Sequence, residues 1–541
     1  MRIIECVPNI SEGRDKSIIN SVAESVRNVN GVKLLDVDSG EATNRTVFTF
    51  VGEAYLVCEA AFRLIETATK LIDMKNQKGE HSRIGATDVC PLIPISGISI
   101  EECIQLSKKL AERVGNELGI PIYLYEHAAT SPQRKNLADI RKGEYEGLSE
   151  KIKLPEWKPD YGPIIFNSKS GATVIGVRDF LIAYNVNLNT TDQKLANEIA
   201  FRIREQGRAK RDSDGNILRS VNGESIKIPG TLKNVKAVGW FIKEYNQAQI
   251  SINLTNFKIT PPHVAFEECV KEANSLGLRV TGSEIIGLIP KEAMLIAGRY
   301  FLEKQGKSPG LPEKNLIEIA IQSLGLSDIS LFEPNKKIIE NVLEENVNSL
   351  NNLTVRQFVD ELSTDSPAPG GGSAAALSGS IAAGLVAMVA NLTVGKKGYE
   401  SVFDEMKNIS ISAQKLKDEL LLLVDEDTNA FNKLMEAVRL PKKSEEEINK
   451  RNKLIEETTL YASEVPLRTM EKSFEVLSLA KIVSEKGNKN SNSDAGVAIL
   501  LSRSAIKGGA MNVEINLKEL QESEQKKSIQ NKMENILQKT N

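Results

Sequence analysis

The chain has 541 residues, 41% of them hydrophobic and 26% charged, and its formal net charge at pH 7 is −3. This composition is typical of a globular protein with three or four domains, and the lack of a dominant basic stripe argues against nucleic-acid binding. The five cysteines, at positions 6, 58, 90, 103 and 269, lack the paired spacing of a metal site. Glu5 brings a negative charge too early for a signal peptide. We therefore expect reduced thiols, a cytoplasmic location and no bound metal.

Strand and helix patterns alternate along the chain up to about residue 330. Strand patterns cover residues 2–8, 33–37, 45–51, 89–95, 120–125, 172–188, 235–253 and 279–289. Helix patterns cover residues 16–29, 54–72, 100–118, 192–206, 262–276 and 291–305. The alternation occurs in two rounds of similar size, so we expect two subdomains that face each other across a cleft.

Beyond residue 330 the sequence has only helix patterns and contains no histidine or cysteine. Helices are predicted at residues 354–362, 372–392, 402–436, 444–481, 493–507 and 517–539. The predicted fold class is α+β, with two α/β-sandwich subdomains, followed by an all-α helical domain. The predicted boundaries are 1–180 and 181–330 for the two subdomains, 331–345 for a linker and 346–541 for the helical domain.

One segment, Ser366–Val394, contains no charged residue and is long enough to span a bilayer. It consists largely of Ala, Gly and Ser, which favour membrane insertion only weakly. Small side chains also let two helix backbones approach closely. We therefore expect a tightly packed, buried helix and no membrane span.

His81 lies in the most polar setting of the three histidines, close to Glu80 and Arg83, in a loop with glycines at positions 79 and 85. A helix pattern precedes this loop and a strand pattern follows it, and such loops often carry the chemistry of an α/β fold. The pKa of histidine suits proton transfer near neutral pH. The spacing alone fits a solvated histidine without function equally well.

In the helical part, acid–base chemistry must fall to Asp, Glu, Lys or Tyr. Asp427 shares one face of a predicted helix with five apolar residues, because successive members lie three or four positions apart. These residues are Leu416, Leu420, Leu423, Phe431 and Leu434. A carboxyl group on an apolar face is expected to have a raised pKa, which suits a general acid. The commoner alternative is a structural aspartate bonded to a helix end.

Two polar or glycine-rich segments open predicted helices. Residues 367–373 read Pro-Ala-Pro-Gly-Gly-Gly-Ser, and a helix start of this kind presents backbone N–H groups to an anion. A flexible linker is the simple alternative. Residues 488–494 also precede a helix, with Asn492 or Ser493 as the predicted cap.

Several of these stretches resemble one enzyme family. Residues 6–13, 34–38 and 43–47 and the stretch around His81 resemble glutamate formimidoyltransferase. Residues 367–373, 423–427 and 430–431 resemble formimidoyltetrahydrofolate cyclodeaminase. Their order is that of the bifunctional formimidoyltransferase-cyclodeaminases, so the resemblance covers nearly the whole chain.

The resemblance implies a folate enzyme of histidine degradation. It would transfer a formimidoyl group between N-formimidoylglutamate and tetrahydrofolate, and then cyclise 5-formimidoyltetrahydrofolate to 5,10-methenyltetrahydrofolate with release of ammonia. His81 is implied as the general acid/base of transfer and Asp427 as the proton donor of cyclisation. Arg178 is implied to hold a carboxylate, and Asp38 is implied to orient His81 or the amine. The implied folate-binding residues are Gly162, Pro163, Ile164, Ile165, Phe166, Asn167, Ser168, Lys169, Ser170 and Gly171. His127 matches no family histidine and is interpreted as a surface residue.

The same resemblance implies tetrahydrofolate polyglutamates as substrates, no metal, and a homo-oligomer built from dimers. Two alternatives stay open. The helical part also resembles methenyltetrahydrofolate cyclohydrolase, which would release no ammonia. A non-catalytic folate-binding scaffold, in which His81 and Asp427 are structural, is the alternative of another class.

Overall fold

The computed structural model describes residues 2–41, 43–79, 82–213, 215–220, 223, 225–243, 245–343 and 349–540. The chain forms two compact units. The first comprises Met1–Ala293 and Leu324–Glu345, and the second comprises Met294–Ser323 and Asn346–Asn541. Residues 294–323 therefore belong with the helical unit, although residues 324–345, which follow them in the chain, belong with the first unit. No pattern in the sequence indicated this. The domain boundaries predicted from the sequence stay a prediction.

The regular elements follow the alternation expected before residue 330 and the helices expected after it. The strands of the described residues are β1 (Ile3–Cys6), β2 (Asn9–Ile10), β3 (Val32–Gly40), β4 (Arg45–Glu53), β5 (Thr87–Ser96), β6 (Ile122–Glu126), β7 (Thr173–Val177), β8 (Ile182–Leu188), β9 (Arg208–Ala209), β10 (Lys227–Ile228), β11 (Val235–Ile242), β12 (Gln247–Leu254) and β13 (Val280–Ile286). The helices of the same residues are α1 (Lys16–Arg27), α2 (Ala54–Leu71), α3 (Ile100–Leu118), α4 (Leu137–Arg141), α5 (Glu144–Lys151), α6 (Gln193–Ile203), α7 (Pro262–Ser275), α8 (Lys291–Lys304), α9 (Glu313–Leu324), α10 (Pro334–Lys337), α11 (Ile339–Leu343), α12 (Val355–Leu362), α13 (Gly371–Thr393), α14 (Phe403–Val438), α15 (Glu445–Lys486), α16 (Asn492–Lys518) and α17 (Glu524–Thr540). This arrangement confirms the predicted fold class.

The first sheet is built from β1 to β7. Both β1 and β2 lie between β4 and β5, so the order is β3, β4, β1 with β2, β5, β7 and β6. Strands β5, β7 and β6 run parallel, and the other pairs are antiparallel. Helices α1, α2 and α3 cover one face, where alternate strand residues such as Ile4, Cys6 and Phe48 are fully buried. The opposite face of β5, β6 and β7 packs against residues of α4 and α5.

The second sheet is antiparallel, with the order β11, β12, β8 and β13, and α6 and α7 pack on it. The extended run predicted at residues 172–188 is two strands, because β7 ends in the first sheet and β8 begins the centre of the second. The run predicted at residues 235–253 is a hairpin, in which Asn246 adopts a positive φ of 52°. Period-2 alternation identified the strands, but it carries no information about which sheet each strand joins.

The core of the helical unit consists of α13, α14, α15 and α16. Small residues let α13 approach its neighbours: a Cβ at Gly379 would lie 2.5 Å from Ser473 Oγ of α15. Among the described residues, α13 is the one helix long and apolar enough to cross a membrane, and 61% of that apolar window is buried in the protein. The close packing of this helix follows from its composition.

Helix α16 is longer than the sequence pattern suggested. A break was predicted after residue 507, but the helix continues to Lys518 and the last helix begins at Glu524. Its buried face persists through Ala510, Val513 and Leu517. Glycines at 508 and 509 serve close packing, since a Cβ at Gly509 would lie 2.7 Å from Met470 of α15.

Candidate active sites

The loop that leads to His81 is anchored by residues from two of the family-like stretches. Asn44 Oδ1 accepts a hydrogen bond from the N–H of Gly13 at 3.0 Å, and its Nδ2 donates to the side chain of Gln77. Gln77 Nε2 donates to Glu12 Oε2 at 2.9 Å. A Cβ at Gly79 would lie 2.2 Å from the carbonyl oxygen of residue 43, so this position requires glycine. These contacts fix the chain directly before the histidine.

After the histidine, ion pairs hold the chain. Arg83 is 7% exposed, and its guanidinium lies 2.9 Å from Glu146 and 3.2 Å from Glu144, both on α5. Asp88 is 2% exposed and pairs with Arg141 of α4. The Asp88–Arg141 pair is buried and is therefore costly to break, because the remaining charge would be left without a partner. Both described sides of the loop are therefore held by specific contacts.

His81 and Glu80 themselves lie outside the described residues, so the catalytic role of His81 stays a prediction. His127, which was interpreted as a surface residue, is partly exposed. Its Nε2 lies 3.1 Å from Asp179 Oδ2.

The predicted folate segment, Gly162 to Gly171, ends against the same loop. The carbonyl oxygen of Lys169 accepts from the N–H of Met74 at 2.8 Å, and that of Ser170 accepts from the N–H of Ala86 at 2.8 Å. Met74 precedes His81 and Ala86 follows it. The structure therefore brings residues 169–171 of the segment beside both arms of the histidine loop.

The middle of the folate segment is exposed and partly apolar. Ile164 and Ile165 are 51% and 72% exposed, and the Phe166 ring packs on Tyr145 at 5.4 Å between centroids. Asn167 Oδ1 accepts from the N–H groups of Lys169 and Ser170 at 3.1 Å, which shapes the turn. Pro163 and Ser168 belong to the same surface run, and Gly162 adopts a positive φ of 78° that favours glycine.

Asp38 and Arg178 lie in different places. Asp38 is exposed on β3. Burial and the charge of Arg141 lower the pKa of Arg45 overall, although the charges of Asp88 and Asp38 act to raise it. Asp38 therefore interacts electrostatically with Arg45, as do Asp88 and Arg141, which hold the histidine loop.

Arg178 directly follows β7, and this five-residue strand, about 16 Å long at roughly 3.3 Å per residue, lies between Arg178 and Gly171. The charge of Arg178 acts on Glu5, a buried residue whose pKa is raised by burial to about 7 despite the guanidinium. Arg178 and Gly171 thus lie at opposite ends of β7. The idea that it holds a carboxylate stays a prediction.

In the second unit, Asp427 of α14 lies against the first turn of α13. Its Oδ2 accepts from Ser373 Oγ at 3.1 Å, and the backbone N–H of Ser373 also bonds to the carboxylate. A Cβ at Gly372 would lie 2.2 Å from Asp427 Oδ1, so only glycine fits there. The glycine-rich segment and the aspartate, predicted separately, form one site.

Asp427 is bonded to a helix end, but its pKa differs from that of an ordinary capping carboxylate. Burial raises the pKa of Asp427 by more than the side-chain and backbone bonds from Ser373 lower it. The carboxyl lies where the buried stripe of α14 ends, since Leu420 and Leu423 are buried whereas Phe431 is half-buried. The group is therefore partly reachable and more easily protonated than a solvated aspartate.

Three consecutive carboxyl groups of α14 have three different environments. Asp425 accepts from Ser349 Oγ at 2.6 Å and from the N–H of Leu350 at 2.7 Å, as expected for a side chain on another face. Glu426 pairs with Arg468 and accepts from Tyr461 Oη at 2.6 Å. Burial raises the pKa of Glu426, but the bonds from Arg468 and Tyr461 more than offset it, so its pKa is lowered overall. The pKa of Asp427 is raised, whereas that of its neighbour Glu426 is lowered.

The segment at residues 488–494 differs from the prediction. Helix α16 begins at Asn492, and its N-cap is Ser491, which forms no side-chain cap bond, so the predicted cap was wrong. Asn488 caps a 3-10 turn and accepts from Lys396, whose ammonium lies 5.8 Å from the Tyr399 ring centroid. Lys396 therefore has structural partners.

The residues that hold these sites were not singled out from the sequence. The partners of Arg83, Asp88 and Glu426 lie 63, 53 and 42 positions away. No local period links such pairs. Glu12 and Asn44 are exceptions, since each lies inside a family-like stretch.

Comparison with known proteins decides the family. Family models match residues 3–178 (formiminotransferase domain, N-terminal subdomain), 183–344 (formiminotransferase domain) and 354–535 (formiminotransferase-cyclodeaminase). The formimidoyltransferase-cyclodeaminase of Dictyostelium discoideum is 42% identical over 519 residues, which are 95% of this chain and 92% of that protein. This chain belongs to the formimidoyltransferase-cyclodeaminase family. The resemblance seen in the motifs is thereby confirmed.

Relatives with one activity match each part of this family member. The glutamate formimidoyltransferase of Streptococcus pyogenes serotype M1 is 41% identical over 302 residues, which are 56% of this chain and 94% of that protein. The methenyltetrahydrofolate cyclohydrolase of Methylorubrum extorquens is 43% identical over 169 residues, which are 31% of this chain and 81% of that protein. Each part of the chain thus has relatives that are enzymes in their own right.

Proposed function

We propose that this chain catalyses two consecutive one-carbon steps on tetrahydrofolate. The first moves the formimidoyl group from N-formimidoylglutamate to N5 of the folate, and the second joins the formimidoyl carbon to N10 and releases ammonia. The second step is carried by one observation: the half-buried Asp427 carboxyl, with its raised pKa, lies against a glycine-rich helix start. The names of full-length relatives agree with both steps.

The transfer step needs one group that can both take and give a proton. The attacking N5 must lose a proton, and the departing glutamate nitrogen must gain one, which an imidazole can do in turn. We assign this role to His81, supported by the anchored loop on both sides of it. The exposed Ile164 and Ile165 would cover part of the folate, with residues 169–171 placed beside the histidine loop.

The cyclisation step breaks one carbon–nitrogen bond and forms another. N10 attacks the formimidoyl carbon and loses its proton, while the amino nitrogen gains a proton and leaves as ammonia. Overall, 5-formimidoyltetrahydrofolate and one proton give the 5,10-methenyl cation and ammonia. Protonated Asp427 donates to the leaving nitrogen, and its raised pKa increases the protonated fraction near neutral pH. Glu426 has its pKa lowered by Arg468 and stays a carboxylate.

We also propose a homo-oligomer built from dimers, in the cytoplasm. Support comes from apolar stripes that remain exposed on α13 and α16 of a single chain. Their members are Ile381, Met388, Leu392, Val497, Leu500, Met511 and Ile515, between 37% and 69% exposed. The five free cysteines fit a reducing compartment.

Two half-reactions test the assignment separately. Transfer is followed as formation of 5-formimidoyltetrahydrofolate, and cyclisation as ammonia and methenyl product from supplied 5-formimidoyltetrahydrofolate. His81→Ala should abolish transfer and leave cyclisation, and Asp427→Ala should do the reverse. A folded variant that lost both activities would contradict the two-site assignment.

A cyclohydrolase activity of the helical part is the second candidate, favoured by the cyclohydrolase relative of that part. Hydrolysis of the methenyl compound releases no ammonia. Equal amounts of ammonia and methenyl product therefore support cyclodeamination, and methenyl consumption without ammonia would support the hydrolase.

A further inference from the structure

The packing of α16 on α13 ends at a side chain to which no role has been assigned. The two helices run antiparallel, since Ser378 Oγ donates to the carbonyl of Leu501 and a Cβ at Gly508 would lie 3.1 Å from Ala375 Cβ. One turn further along each helix, Asn512 meets Gly371. A Cβ at Gly371 would lie 3.5 Å from Asn512 Nδ2 and 3.9 Å from Oδ1. The Asn512 carboxamide therefore borders the start of α13.

Asn512 and Asp427 lie on neighbouring sides of the same helix start. Gly372 faces the Asp427 carboxylate, and Gly371 faces the Asn512 carboxamide. Successive residues of a helix point about 100° apart. Gly371 is exposed whereas Gly372 is buried, so the carboxamide lies toward the open side of the Asp427 site.

The carboxamide of Asn512 is bonded within its own helix. Its Nδ2 donates to the carbonyl of Gly508 at 2.8 Å, within the same helix. In the part of the chain that the structure describes, no donor contacts its Oδ1. A half-exposed carbonyl oxygen with available lone pairs can accept a hydrogen bond from a bound ligand.

We infer that Asn512 is a substrate-binding residue of the cyclodeaminase site, whose Oδ1 accepts a hydrogen bond from the N–H of the formimidoyl group. This inference rests on the proposed function. An amide oxygen cannot supply a proton, so Asn512 orients the nitrogen that Asp427 protonates. The formimidoyl nitrogen has N–H groups in the substrate as well as in the transition state, so the contact stabilises both.

Asn512→Ala and the similarly sized Asn512→Leu test the inference, with Asn516→Ala as the matched control. Asn516 lies one turn later on α16, and its Nδ2 donates to the carbonyl of Ala462 on α15 at 2.7 Å. The control therefore removes a bond between helices, whereas Asn512→Ala removes only a bond within one helix. A structural role predicts the larger loss of activity and thermal stability for Asn516→Ala.

The substrate-binding role predicts the reverse order for activity. Both Asn512 variants should lower kcat/KM for ammonia release from 5-formimidoyltetrahydrofolate by about 2- to 10-fold, mainly through KM, the loss expected for one hydrogen bond between neutral groups. Formimidoyl transfer, measured on the same full-length samples, should not change. The inference alone would be overturned if Asn512→Ala released ammonia with the kcat/KM of the wild type, or if Asn516→Ala lost as much kcat/KM as Asn512→Ala. A wild-type protein that releases no ammonia would overturn the proposed function together with the inference.

Discussion

The first turn of α13 leaves no room for a side chain at position 372. An alanine Cβ there would lie 2.2 Å from Asp427 Oδ1 and 2.6 Å from Oδ2, whereas ordinary contact begins near 3.4 Å. The carboxylate or the helix start must therefore move by about 1.2 Å, the difference between 3.4 and 2.2 Å. Overpacking of this kind typically costs about 1–3 kcal/mol. A displacement of about 1 Å near the reacting atoms can slow catalysis about 100-fold.

We therefore predict that Gly372→Ala lowers ammonia release about 100-fold without changing formimidoyl transfer. Both activities are measured on one preparation, and its circular-dichroism melting curve reports whether the helical unit is folded. The control is Gly370→Ala, because a Cβ there would meet only Pro367 O at 3.6 Å. Full ammonia release by Gly372→Ala, or an equal loss in Gly370→Ala, would refute the steric argument.

Three further predictions address the charged groups. Burial raises the pKa of Asp427. The stability that its protonated form contributes is therefore present below the unfolded pKa and is lost as the pH rises through the folded pKa. Asp427→Asn should abolish ammonia release, yet at pH 8 it should unfold at a temperature equal to or higher than that of the wild type. Burial raises the pKa of Glu5 from 4.5 to about 7. The free energy of unfolding of Glu5→Gln minus that of the wild type, measured by urea denaturation, should therefore increase by roughly 3 kcal/mol between pH 4 and pH 8. A difference that stays constant with pH would contradict this. Arg83→Met leaves Glu144 and Glu146 without their buried partner and should slow transfer while sparing ammonia release, whereas Arg27→Met, at a surface pair, should affect neither.

Local patterns predicted the elements whose ends are fixed by their own residues. Helix α3 has the predicted bounds, residues 100–118, because Ser99 and Glu102 form a capping box and an apolar face follows. The stripe on α14 likewise predicted the face on which Asp427 lies. In both cases the determining contacts lie within one or two turns of helix.

Features that depend on distant contacts could not be predicted in this way. The split of the run at residues 172–188 between two sheets depends on the partners of β7 and β8. Ser373, which binds Asp427, is 54 positions away. Asn512 gave no signal of its own, although the glycine pair at 508–509 marks a close approach of α16 to its neighbours. Packing between elements decides all three.

A mixing experiment tests most directly whether two separate proton-transfer sites act in succession. His81→Ala and Asp427→Asn are each supplied with N-formimidoylglutamate and tetrahydrofolate, alone and together, and ammonia and methenyltetrahydrofolate are measured. Two independent sites predict no ammonia from either variant alone and restored formation of both products in the mixture, because the intermediate made by one variant can be cyclised by the other. An inactive mixture of variants that each retain their own half-reaction, or full turnover by either variant alone, would contradict the account.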